Sequence, residues 1–203
     1  VPRNSDPLRR GPYFSKNRHV GMFPVQPPPL SIETILRNHI IDIPDFPEEG
    51  VTFKDITPLL QSPDSLRQAI NLMLKYNRYQ DIDIVAVLDS RGFILGTPIA
   101  LDLNAGLVLI RKSGKLPRPT LSMDYTLEYG LASIEVHRDA ISKGQKVLLV
   151  DDVLATGGTA KAAINLIQSL GGQIVRAQFL LELDYLHGRD LLDIPIQSVL
   201  HYR

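Results

Sequence analysis

The chain has 203 residues, 44% of them hydrophobic and 22% charged, which is enough apolar material for a core and too much for a disordered polypeptide. Lysine plus arginine number 22, as do aspartate plus glutamate, so no global charge argues for nucleic acid or a membrane surface as partner. There is no cysteine for disulfide or thiolate chemistry, the five histidines lack zinc-ligand spacing, and no apolar run approaches the roughly 20 residues that span a bilayer. A soluble, cytoplasmic protein is the expectation.

Residues 1–29 stand apart from the rest. They hold Pro2, Pro7, Pro12, Pro24, Pro27, Pro28 and Pro29, and set Arg3, Arg9, Arg10, Lys16 and Arg18 against one acid, Asp6. No helical or strand period survives this composition. The arginines permit an organelle-targeting reading, but the prolines oppose an amphipathic helix. An artificial leader ending near Met22 is a further alternative. The expectation is a Pro-rich basic arm without catalytic role, packing on a partner subunit, followed by a single domain over residues 30–203.

Ser31 can cap a first helix whose apolar stripe is Ile32, Ile35, Leu36, His39 and Ile40. Pro44, Pro47 and Gly50 then break the chain. VTFKDI at 51–56 reads as a short strand or an extended loop. Ser62 or Asp64 caps a second helix, with Leu66, Ile70, Met73 and Leu74 on its buried face.

From Asp83 strands alternate with helices. IVAVL at 84–88 is continuous apolar sequence, as expected of a central parallel strand, and it ends on Asp89-Ser90-Arg91-Gly92. Residues 93–104 read as a helix with Gly106 just past its end. LVLI at 107–110 is the next strand, followed by Arg111-Lys112-Ser113-Gly114-Lys115. Residues 112–129, punctuated by Pro117 and Pro119, form a polar connection whose length suits a lid. Ile134-Glu135-Val136 is a short strand. VLLV at 147–150 is another buried strand; it ends on Asp151-Asp152, and Thr156-Gly157-Gly158-Thr159 leads into a helix over 159–170 stopped by Gly171-Gly172. Residues 174–183 and 196–201 complete the strands.

Such alternation predicts an α/β fold with a mostly parallel central sheet flanked by helices. Ligands bind beyond the carboxyl ends of such strands. Three of these ends carry polar sequence: Asp89-Ser90-Arg91, Arg111-Lys112 and Asp151-Asp152. Parallel pairing brings them to one crevice. The small-residue loop 155–159 at a helix N-terminus can turn several backbone N–H groups toward one phosphate. Two acids beside a phosphate cradle make sense if they hold neighbouring sugar hydroxyls, or lie near a Mg²⁺. The combination suggests a ribose 5-phosphate site. A structural turn with a threonine cap is the plain alternative, and neither G-x-x-x-x-G-K-[ST] nor G-x-G-x-x-G occurs. Arg91 has the forked donors for pyrophosphate, and Arg111, Lys112, Lys115 and Arg118 form a basic loop suited to a polyanion or to a solvated face. Glu128, between Tyr125 and Tyr129, suits either plain surface or a proton-handling lid carboxylate.

VLLVDDVLATGGT, together with DFPEEGVTFKDITPLL, LDSRGFILGTPIA, LIRKSGKLP, YTLEYG and LELDYLHGR, resembles the type I phosphoribosyltransferases, most closely their adenine-using members. The resemblance covers about residues 32–202. It implies a parallel-sheet core with a flexible lid and a small N-terminal hood that binds the base. It also implies purine salvage: phosphoribosyl passes from phosphoribosyl pyrophosphate to adenine, giving AMP and pyrophosphate, with Mg²⁺ as cofactor. By resemblance, Asp151 and Asp152 hold the ribose hydroxyls, and Ala155, Thr156, Gly157, Gly158 and Thr159 hold the 5-phosphate. Asp89, Ser90, Arg91, Lys112 and Lys115 meet the pyrophosphate; no side chain is assigned as a direct Mg²⁺ ligand. Thr52 and Lys54 read the Watson–Crick edge of adenine through their backbone, with Phe53 and Leu183 sandwiching the ring. Glu128, on a lid with Tyr125 and Tyr129, assists proton movement at the imidazole side. A homodimer is implied. Members often carry arginine where this chain has Lys54, and some carry glutamate at the place of Asp89. A different purine such as hypoxanthine, guanine or xanthine is one alternative acceptor. A non-enzymatic phosphoribosyl-binding regulator is another, although only the short arm is left to serve as a DNA-binding module.

Overall fold

The computed structural model describes residues 30–77, 81–127 and 130–203; the predicted N-terminal arm lies outside them. In chain order the elements are α1 (Ile32–Arg37), β1 (Ile41–Ile43), β2 (Phe53–Asp55), α2 (Thr57–Gln61), α3 (Pro63–Lys75), β3 (Ile84–Leu88), α4 (Arg91–Asp102), β4 (Gly106–Lys112), β5 (Thr120–Leu127), β6 (Gly130–His137), β7 (Lys146–Leu154), α5 (Gly158–Ser169), β8 (Gln173–Leu183) and β9 (Ile196–Tyr202). Seven strands form one sheet in the order β5-β6-β4-β3-β7-β8-β9, and β1 pairs with β2 in a separate small hairpin. Strands β4, β3, β7, β8 and β9 are mutually parallel, whereas β6 runs antiparallel to β4 and to β5.

Strand β3 is buried at every position because it lies mid-sheet with helices over both faces. Val85 and Val87 point to the layer containing Leu95 and Ile99 of α4 and Ile70 and Met73 of α3. Ala86 and Leu88 point to the opposite layer, with Ile164 and Ile167 of α5. Helix α4 lies very close to the sheet. A Cβ at Gly96 would stand 2.1 Å from Val87 Cγ1. The chain steps from β3 to β4 on one side and later returns to β7 on the other. That reversal opens a crevice at the carboxyl ends of these strands.

Several expectations about individual elements change. The predicted structureless lid over residues 112–129 is largely strand: β5 pairs with β6 from Thr120–His137 to Leu127–Gly130. Leu121, Met123 and Tyr125 alternate with Ser122 and Asp124, and the first three pack on the core. Pro117 and Pro119 precede this strand rather than interrupt it. Helix α4 starts at Arg91, not residue 93, and its end is turned by Asn104 at φ 52. Gly106 does not terminate that helix; it opens β4 and pairs with Ile84. Ser62, not Asp64, caps α3, accepting from the Ser65 N–H. The short α2, with Pro58 in its first turn, has no counterpart among the elements expected from the sequence.

Candidate active site

Parallel register aligns the ends of β3, β4 and β7, so the three polar strand ends do meet. They border a cavity of ≈ 590 Å³ lined by Asp89, Ser90, Arg91, Lys112, Lys115, Tyr125, Asp151, Asp152 and the whole run from Ala155 to Thr159. These are all the predicted sugar-phosphate and pyrophosphate residues, together with Tyr125 from the predicted lid. Glu128 and Tyr129 lie outside the described residues.

The loop 155–157 enters α5 through Gly157, whose φ of 84 falls in the left-handed region that glycine tolerates. No side chain caps this helix. Its first-turn N–H groups and dipole are thus left for an anion in the cavity. A Cβ at Gly157 would stand 2.4 Å from the Gly188 carbonyl oxygen, so a second loop abuts the first backbone to backbone.

The charges beside this loop are interlocked. Arg91, in the first turn of α4, donates from Nε to the buried Asp152 carboxylate. The Asp152 N–H donates to Asp151 Oδ1 at 2.9 Å. Burial, reinforced by the neighbouring Asp152 charge, pushes the Asp151 carboxyl well above the usual carboxylate range, against the pull of Arg91. A Cβ at Gly92 would lie 3.0 Å from Asp151 Oδ1, so the glycine lets α4 begin against this acid. Arg111 Nε donates to Asp89 Oδ2 at 3.1 Å, and its guanidinium also reaches the Lys115 carbonyl at 3.3 Å. Exposed Lys112 and Lys115 bring further positive charge to the rim.

One supporting residue escaped the sequence reading. Glu135 is buried on β6 and accepts from the Lys115 and Leu116 N–H groups, both at 2.9 Å, and from the Thr120 hydroxyl at 3.2 Å. Burial raises its pKa, but the N–H donors outweigh this and hold it below the usual range. It therefore fixes the basic loop at Lys115. An acid flanked by Ile134 and Val136 in a short apolar strand was the available clue.

A second cavity of ≈ 800 Å³ adjoins the first and shares Arg91, Val153, Ala155 and Thr156 with it. Its walls include Thr52, Phe53, Lys54 and Leu183, the four residues expected to meet a base. Phe53 packs edge-on against Phe46, with centroids 5.3 Å apart. The Arg91 guanidinium lies 4.9 Å from the Phe53 ring centroid, so one side of the ring already carries a cation. Lys54 directs its ammonium to Asp42 at 2.7 Å and to the Tyr202 ring at 4.3 Å, and its side chain is 9% exposed. Lysine at this position thus ties the hood hairpin to β9. Tyr185 and Leu186, from the LELDYLHGR stretch, also line the cavity, although the sequence reading assigns neither a role.

A family described as "Phosphoribosyl transferase domain" matches residues 55–199. The chain is 55% identical over 158 residues to the adenine phosphoribosyltransferase of Halothermothrix orenii, covering 78% of this chain and 93% of that one. The crystal structure of adenine phosphoribosyltransferase from Rhodothermus marinus superposes with a TM-score of 0.82 at 48% identity, covering 84% of this chain and 98% of that one. The Saccharomyces cerevisiae enzyme, solved with an imino-altritol bisphosphate and adenine, gives a TM-score of 0.79 at 35% identity, covering 83% and 98% of the two chains.

Proposed function

The chain belongs to the phosphoribosyltransferase family, among its adenine phosphoribosyltransferases, and from that premise we propose how its residues divide the work of converting adenine and phosphoribosyl pyrophosphate to AMP and pyrophosphate. One observation carries the reading: an uncapped helix N-terminus and paired acids border a cavity that opens, past Arg91, into a second cavity walled by Phe53 and Leu183. The first suits a sugar phosphate and the second a flat apolar base.

Ala155, Thr156, Gly157, Gly158 and Thr159 hold the 5-phosphate. Asp151 and Asp152 accept from the ribose hydroxyls. Asp89, Ser90, Arg91, Lys112 and Lys115 surround the pyrophosphate, where positive charge stabilises the leaving group as the C1–O bond breaks. Adenine N9 attacks C1, and Glu128 assists removal of the imidazole proton. The backbone of Thr52 and Lys54 offers an acceptor for the 6-amino group and a donor for N1. Binding both substrates beside Arg91 fixes the sugar relative to the base.

Asp151 and Asp152, two adjacent carboxylates bordering the cavity, suit a nearby hydrated hard divalent cation brought in with the substrate. Mg²⁺ would be held mainly by substrate oxygens and water beside these acids, and would supply charge neutralisation to the pyrophosphate.

A cytoplasmic homodimer completes the reading. Leu107 and Leu109 of β4 are in register with Val85 and Val87, and so face the α4 side of the sheet. Both remain exposed, as do Ile94 and Leu101 on α4 itself, and this apolar area suits a second copy. The function is tested by following AMP and pyrophosphate formation from phosphoribosyl pyrophosphate and adenine with Mg²⁺ present; no AMP overturns it.

A further inference from the structure

We propose that Arg189 is a positioning residue that sets both substrate sites at once, by fixing the connection between β8 and β9. This rests on the phosphoribosyltransferase reading above. Glu182 lies near the end of β8, where it is buried, and is paired in register with Leu154 at the end of β7. Arg189 grips it with two parallel bonds, Nε to Oε1 at 2.8 Å and Nη2 to Oε2 at 2.5 Å. The remaining contacts anchor this pair to β9: the Ser198 hydroxyl donates to Glu182 Oε2 at 2.5 Å, and Arg189 Nη1 donates to the Ile196 carbonyl at 3.2 Å. A forked guanidinium pair fixes orientation as well as distance.

The segment closed by this clasp does two things. Leu183, Tyr185 and Leu186 form a wall of the second cavity. Just beyond them the chain turns at His187, with φ 53, and brings buried Gly188 onto the phosphate loop. A Cβ at Gly188 would stand 2.0 Å from the Ala155 carbonyl oxygen and 2.8 Å from the Gly157 nitrogen. Ala155 and Thr156 border both cavities. One short connection therefore carries part of the base wall and the backbone support of the phosphate loop. Arg189 contacts neither cavity; it acts through the segment that it ties to Glu182.

The test compares steady-state kinetics of the wild-type enzyme with Arg189→Lys and Arg189→Met for both substrates. The clasp predicts that Arg189→Met raises KM for phosphoribosyl pyrophosphate and for adenine together, each by about tenfold, with kcat changed by less than about threefold. Arg189→Lys keeps the charge but not the fork, and should recover only part of the loss. Ser198→Ala removes the other donor to Glu182 without adding bulk. It should raise both KM values as well, to a smaller extent, which keeps the proposal testable if the Arg189 variants do not fold. Variants with both KM values unchanged, or with only one of them raised, contradict the proposal even if their melting temperatures fall. A wild-type protein that forms no AMP would instead overturn the functional reading itself.

Discussion

Arg91 and Asp152 are ion-paired across the crevice, joining the first turn of α4 to the end of β7. The same guanidinium lies over Phe53, so one side chain borders the sugar-phosphate cavity and the base cavity together. In the proposed reaction, this dual contact lets Arg91 place both substrates as well as stabilise the leaving group. Arg91→Gln should lower kcat/KM by about 10²–10³-fold, through loss of charge stabilisation and of placement. It also leaves buried Asp152 without its cation, so thermal stability should fall. Wild-type kinetics in a folded Arg91→Gln protein would remove Arg91 from the mechanism.

Asp151 sets function against stability. Its folded-state pKa is raised by burial and by Asp152, so the proton is held more tightly in the folded than in the unfolded chain. The associated stability is present at acid pH and is lost as pH rises through that raised value. Above the unfolded-state pKa, Asp151 therefore costs the ligand-free protein stability. Asp151→Asn should raise the melting temperature at pH 7, by about 2–4 °C for each kcal/mol relieved, and the gain should shrink toward acid pH. Affinity for phosphoribosyl pyrophosphate and turnover should both fall. Thermal melts across pH decide this; a melting temperature lowered at every pH contradicts the assignment.

Glu182 has the opposite sign. Although burial alone would raise its pKa, Arg189 and Ser198 together lower it below the reference value of 4.5. Its contribution is present above that value and is lost as pH falls through the lower folded-state pKa. In Glu182→Gln, the acid-side fall in stability should be shallower than in the wild type. An identical acid profile for the two proteins would show that the Glu182 pair does not contribute.

Glu128 is tested by kinetics. Glu128→Gln should slow turnover by roughly 10²–10⁴-fold while largely sparing phosphoribosyl pyrophosphate binding. An unchanged rate would exclude it as the proton-handling group.

Gly96 tests the packing of α4 on β3. A Cβ there meets Val87 Cγ1 at 2.1 Å, so Gly96→Ala should destabilise by about 1–3 kcal/mol despite the better helix propensity of alanine. Because α4 also carries Arg91, some activity should be lost as well. A stabilised Gly96→Ala protein would contradict this close approach.

Much of the crevice is legible in the sequence because it depends on local rules. Continuous apolar runs mark β3 and β7, and the acids and glycines that follow them mark where ligands meet the sheet. The β5–β6 hairpin is hard to read because Pro117, Pro119 and the polar residues around them suggest a loop, which masks the alternation of Leu121, Met123 and Tyr125. Glu135, Arg111 and Arg189 are harder to read. Their roles follow from partners such as Leu116, Asp89 and Glu182 that only folding brings alongside. Lys54 could be placed in the hood from sequence, but its engagement with Asp42 and Tyr202 joins three separate stretches of chain.

The most direct measurement offers phosphoribosyl pyrophosphate with adenine, hypoxanthine, guanine and xanthine in separate Mg²⁺-containing reactions, each repeated with a chelator. A 6-oxo group needs a donor where the 6-amino group needs an acceptor, so the same backbone at Thr52 and Lys54 should not accept both classes. The account predicts AMP and pyrophosphate from adenine alone, abolished by chelation. Turnover of a 6-oxopurine without turnover of adenine would contradict it.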